Sequence, residues 1–70
     1  MLIKWKVDTL LECIDEDNND WCESMKKGEE FEVEKIELES EDAENGNIVK
    51  IFLPDNIVAT SNSNWFNIQE

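Results

Sequence analysis

Carboxylates are the residues whose number and spacing could do chemistry here, 18 of them in 70 positions. Glu30, Glu32 and Glu34 alternate with Phe31 and Val33, so a strand over this stretch carries its acids on one face. Alternate side chains of a strand lie about 6.8 Å apart, where two unit charges repel by about 0.6 kcal/mol in water, so one stripe is tolerable. Glu37, Glu39, Glu41, Asp42 and Glu44 continue the acidic block, and Asp15, Glu16 and Asp17 form an earlier one. Folding alone does not require that much like charge on a small domain. The chemistry it suggests is recognition of a positively charged partner.

Other uses of these groups fit less well. Read as a calcium loop from Asp15, positions 1, 3 and 5 are Asp15, Asp17 and Asn19, as the pattern asks. Position 6 is then Asp20 where glycine makes the turn, and position 12 is Lys26 where a bidentate glutamate belongs. No metal site is expected. Catalysis is not expected either: there is no histidine to act as a base near neutral pH, and neither Cys13 nor Cys22 has an evident activating neighbour. Two cysteines at this spacing make neither a zinc quartet nor a disulfide framework. No cofactor is called for.

The six cations are all lysines, and the net charge is −12. Nucleic acids and anionic membranes need a basic surface, so direct binding to either is excluded. Asp8–Glu23 contains no lysine and Glu29–Glu44 only Lys35, whereas Lys4, Lys6, Lys26 and Lys27 lie outside both blocks. That distribution suggests a two-sided molecule. The first residues lack the apolar run of a signal peptide, and no stretch is long and apolar enough to span a bilayer, so a cytoplasmic location with reduced thiols is expected.

The elements that must position these groups are short strands. Seventy residues make one domain, 1–70, with a core worth only about 3–5 kcal/mol of net stability. From Ile3 to Ile14 apolar and polar residues alternate, with a helix as the competing reading; the β-branched and aromatic residues favour a strand. Asp15–Ser24 reads as a long acidic loop, with Trp21 either folded back on the core or held out as a hot-spot anchor. Gly28–Leu38 is the next strand, and its apolar phase changes between Val33 and Ile36, which predicts a bulge or bend at Glu34–Lys35. Asn45–Gly46 is a turn dipeptide, Ile48–Leu53 a central strand, and Pro54-Asp55-Asn56 a tight turn into Ile57–Thr60. Ser61–Asn64 is a polar connection with room for one helical turn, and Trp65–Ile68 closes the chain as a strand.

Two stretches carry a family resemblance. The segment from Ser24 to Val33, SMKKGEEFEV, resembles the diverging turn and second strand of SH3 domains. The segment from Ser63 to Ile68, SNWFNI, is similar to the sequence those domains keep before their last strand. The resemblance implies an all-β fold, a five-stranded SH3-like antiparallel barrel with a long acidic first loop. It does not imply proline-rich ligands, because the first-strand tyrosine, the tryptophan after the second loop and the proline before the final Ser-Asn are missing. Of the groove aromatics only Trp65 has a counterpart.

The functional expectation is a non-enzymatic acidic protein that blocks the basic groove of a nucleic-acid-binding protein or enzyme. Its partner-binding residues are Glu30, Glu32, Glu34, Glu37, Glu39, Glu41, Asp42 and Glu44, with Asp15, Glu16, Asp17 and Trp21 from the first acidic block. In size and charge alone the chain is similar to small phage or mobile-element inhibitors, including anti-CRISPR and DNA-mimic proteins. The alternative is an SH3-like interaction module that makes contact through Trp21 or an edge strand, with the acids serving solubility.

Overall fold

A computed structural model describes residues 1–41 and 46–69, and these form two antiparallel sheets without an α-helix. The strands are β1 (Leu2–Trp5), β2 (Thr9–Ile14), β3 (Asp20–Met25), β4 (Glu30–Glu32), β5 (Lys35–Ser40), β6 (Ile48–Leu53), β7 (Ile57–Asn62) and β8 (Phe66–Gln69). One sheet has the order β4-β1-β8, the other β3-β2-β7-β6-β5. The all-β expectation holds. The strand count is eight rather than five, and the strands are hydrogen-bonded as two separate sheets, not as one closed barrel.

Three differences in segmentation account for the count. The predicted strand from Ile3 to Ile14 is broken at Lys6–Asp8, where the chain leaves the smaller sheet for the larger one. The Lys6 N–H donates to the Trp65 carbonyl at 2.8 Å, ending the β1 ladder there. Odd-numbered residues point inward on both sides of the break (Ile3, Trp5, then Leu11, Cys13), so the alternation carries no mark of it. The expected long acidic loop is instead a hairpin, with Asp15–Asn19 as its tip and β3 as its second arm. That arm is an edge strand with exposed Asp20, Cys22, Glu23 and Ser24, so it lacks the apolar alternation by which strands are recognised.

The predicted bend at Glu34–Lys35 is present. β4 ends at Glu32, Val33 is buried, and the chain resumes at Lys35 in the other sheet. Val33 N–H donates to the Met1 carbonyl and Glu34 N–H to the Phe52 carbonyl, each at 2.7 Å, so one corner is pinned to both sheets. The change of apolar phase is the sequence trace of this switch.

β6 lies between β5 and β7, as expected of a central strand. The Pro54–Asn56 turn puts Asp55 and Asn56 at φ 67° and 61°, the left-handed region that short polar side chains tolerate. Ser61 and Asn62, expected in a loop, are buried and end β7; a 3-10 turn over Ser63–Trp65 follows. The Asn62 side chain accepts the Asn64 N–H at 2.8 Å and so starts that turn. Gly46 has φ 88°, and a Cβ there would collide with the Asn62 and Asn64 side chains, so glycine is required twice over.

The inward faces of both sheets make one core of Ile3, Trp5, Leu11, Cys13, Met25, Val33, Val49, Ile51, Ala59 and Phe66. Trp5 and Phe66, neighbours on β1 and β8, meet edge to face with ring centres 5.4 Å apart. No helix of the described residues is long and apolar enough to cross a membrane.

Candidate functional site

β4 and β5 are consecutive in the chain, and each is an edge strand of its own sheet. Glu30 and Glu32 on β4, Glu34 at the corner, Glu37 and Glu39 on β5, and Glu41 beyond it are all exposed along this one run. Asp42 and Glu44 lie outside the described residues. Alternation explains the placement, since Phe31, Val33 and Ile36 turn toward the core and leave the outward positions to the acids.

The run is not uniformly negative. Glu32 accepts from the amino terminus of Met1 at 2.9 Å, and Glu37 pairs with Lys35 at 3.0 Å. Lys35 also sits 4.6 Å from the centre of the Phe52 ring, its cross-strand neighbour. Lys50 stands opposite Glu37, and Lys4 opposite Glu30. Lys4 is therefore beside the acidic run, which corrects the simple two-sided picture. The six carboxylates from Glu30 to Glu41 amount to one charge per about 6–7 Å of strand, against about 3.4 Å along one strand of DNA.

The first acidic block is elsewhere. It caps the β2–β3 hairpin at the β3 edge of the larger sheet, with two strands, β7 and β6, between that hairpin and β5. Asp15 works on its own backbone: Oδ1 accepts the N–H groups of Asp17 and Asn19 at 2.9 and 3.0 Å, and Oδ2 accepts the Asn19 side-chain amide at 3.2 Å. The Asn19 backbone N–H in particular holds the Asp15 carboxyl below its ordinary range, since these donors favour the charged form. Asn18, at φ 63°, completes the turn. Glu16 accepts from the Asn56 side chain at 3.1 Å and ties the tip to the turn after β6, while Asp17 is exposed. Trp21 is half-buried against the core and donates its indole N–H to Glu23 at 2.9 Å. It is folded back, as one of the two sequence readings had it.

A groove that the sequence did not reveal lies on the outer face of the larger sheet. Ile14, Val58 and Phe52 align across β2, β7 and β6, and beside them Glu12 and Thr60 align with Cys22. Around the β2–β3 end all of these but Phe52 line a groove of about 460 Å³, bounded by Asp20 and Trp21. The available signal was the second parity of β2, where Leu10, Glu12 and Ile14 alternate with the buried Leu11 and Cys13. Both cysteines are free thiols. Cys13 faces the core and Cys22 the outer face, and burial, with the nearby Glu23 and Cys22 adding to it, pushes the Cys13 thiol up.

No family model, no curated protein and no solved structure matches this chain.

Proposed function

We propose that this chain is a non-enzymatic acidic binding protein that occupies the basic groove of a nucleic-acid-processing protein. Glu30, Glu32, Glu34, Glu37, Glu39 and Glu41 form its docking edge. The observation that carries this reading is that one uninterrupted run of chain supplies an edge strand to each sheet and exposes six carboxylates. An unpaired strand edge offers main-chain donors and acceptors, and the acids on it repel a second copy while attracting a cationic surface. The net charge of −12 steers such an encounter over distances near the Debye length, about 8–10 Å at physiological salt. At half the charge density of a DNA strand, the edge imitates the sign of nucleic acid rather than its spacing.

The fold reading that goes with this is SH3-like. β1 flanked by β4 and β8, the β5–β6–β7 meander, and the 3-10 turn at Ser63–Trp65 before the last strand support it. A second reading has an observation of its own, the groove bounded by Trp21, Ile14 and Val58: an interaction module gripping an apolar segment there.

A pull-down from cell extract with the native chain and with the Glu30→Gln, Glu32→Gln, Glu34→Gln triple variant separates the two. Loss of a nucleic-acid-processing protein from the variant's catch supports the edge. Retention by the triple variant with loss on Trp21→Ala supports the groove and sinks the edge.

A further inference from the structure

Three of the six lysines converge on a cleft that the acidic edge does not use. Lys4 is on β1, Lys6 follows it, and Lys27 with Gly28 forms the turn before β4; Asn67 and Gln69 come from β8. Together they line a cleft of about 520 Å³. The turn is fastened to the end of β1 by two backbone bonds, Gly28 N–H to the Trp5 carbonyl at 2.9 Å and Trp5 N–H to the Glu29 carbonyl at 3.0 Å. Gly28, at φ 92°, lets it close. Asp8 accepts the Lys27 backbone N–H at 2.7 Å, so that carboxylate serves the turn itself.

The polar groups around the cleft are chiefly donors. No described carboxylate lies within 4.0 Å of the Lys4, Lys6 or Lys27 ammonium groups; the two ion pairs among the described residues are Met1–Glu32 and Lys35–Glu37. An ammonium group has three donors and no acceptor, and each carboxamide adds two donors and one acceptor oxygen. Trp5 forms part of the wall, and its indole N–H is the one buried side-chain polar atom among the described residues that meets no partner. Three exposed ammonium groups on one cleft, with no described carboxylate paired to them, make a local positive patch on an otherwise acidic chain, and such a patch suits a small anion.

We propose that this cleft binds a small oxyanion, the phosphate or carboxylate group of a small molecule, held by Lys4, Lys6 and Lys27. A polymer is disfavoured, because Glu30 stands opposite Lys4 and the chain as a whole repels polyanions. The lysines supply the affinity. Trp5 belongs to the cleft lining, so its indole resonance serves as the reporter of occupancy.

The test follows the indole N–H resonance of Trp5, assigned with Trp5→Phe, while inorganic phosphate or citrate is added at an ionic strength held constant with sodium chloride. A saturable shift of this resonance and of the Lys6, Lys27 and Gly28 amides is expected with at least one probe. Lys4→Gln and Lys27→Gln, both exposed substitutions, raise the half-saturation concentration at least about tenfold, the scale of one charge-assisted hydrogen bond. Tighter phosphate marks a phosphoryl ligand and tighter citrate a carboxylate one. A linear drift with both probes, or saturation unchanged in the lysine variants, overturns the site. Neither result bears on the acidic edge, which lies outside the cleft.

Discussion

The Glu32 carboxylate takes the amino group of Met1 at 2.9 Å, closing the β4 edge onto the start of β1. This pair is exposed and so adds at most about 1 kcal/mol to stability. The acidic edge is thus an expendable surface as far as folding is concerned. Separable effects on stability and on binding follow from that.

The two glycines with positive φ are expected to respond differently to alanine. Gly28 faces open space, so Gly28→Ala costs about 1 kcal/mol for its backbone conformation alone. Gly46→Ala meets the same conformational cost and also drives a methyl group into the Asn62 and Asn64 side chains, so it should destabilise clearly more. Urea unfolding of the two variants side by side measures the difference.

Asp15 predicts an acid limb in the stability curve. Its carboxyl titrates lower in the folded state than in the unfolded chain, where the ordinary value is about 3.9. Its contribution is therefore complete above that value and is lost as the pH falls through the lower folded one. Melting temperatures taken between neutral pH and pH about 3 should drop less in Asp15→Asn, which keeps one oxygen acceptor and does not titrate, than in the native chain.

The cysteines should behave as two unlike thiols. Cys22 is exposed and Cys13 is buried on the other face of the same hairpin, so no bridge between them forms without rearranging the strands. A thiol reagent should label one cysteine quickly and the other only on unfolding, and Cys22→Ser should remove the fast phase.

Ile51 is fully buried in the central strand β6, so Ile51→Ala should cost about 2–5 kcal/mol, comparable to the whole net stability expected of so small a core. Ile51→Val, losing one methylene, should cost about 1 kcal/mol and leave a folded chain. Thermal or urea unfolding monitored by near-ultraviolet circular dichroism checks both.

These expectations also mark what was legible in the chain. The Pro54–Asn56 turn, the central place of Ile48–Leu53 and the bend at Glu34 follow from residue types or from a change of phase, which are local signals. The exposure of Glu30, Glu32, Glu34, Glu37 and Glu39 followed from the same alternation. The break at Lys6–Asp8 was invisible because parity is the same on either side of it. β3 was missed because an edge strand with one half-buried tryptophan has no apolar stripe to read. The groove and the lysine cleft each require the register of strands far apart in sequence, Lys4 beside Asn67 and Ile14 beside Val58, which no local pattern encodes.

The central claim is that the β4–β5 carboxylates make the contact, and affinity for the recovered partner as a function of salt tests it most directly. Isothermal titration at about 50 mM and about 200 mM salt should show binding that weakens steeply with salt. The Glu30→Gln, Glu32→Gln, Glu34→Gln variant should bind at least about tenfold more weakly at the lower salt, with a melting temperature lowered by at most about 4–8 °C through loss of the Met1–Glu32 pair. Equal affinity for the native and triple-variant chains, at both salt concentrations, would contradict it.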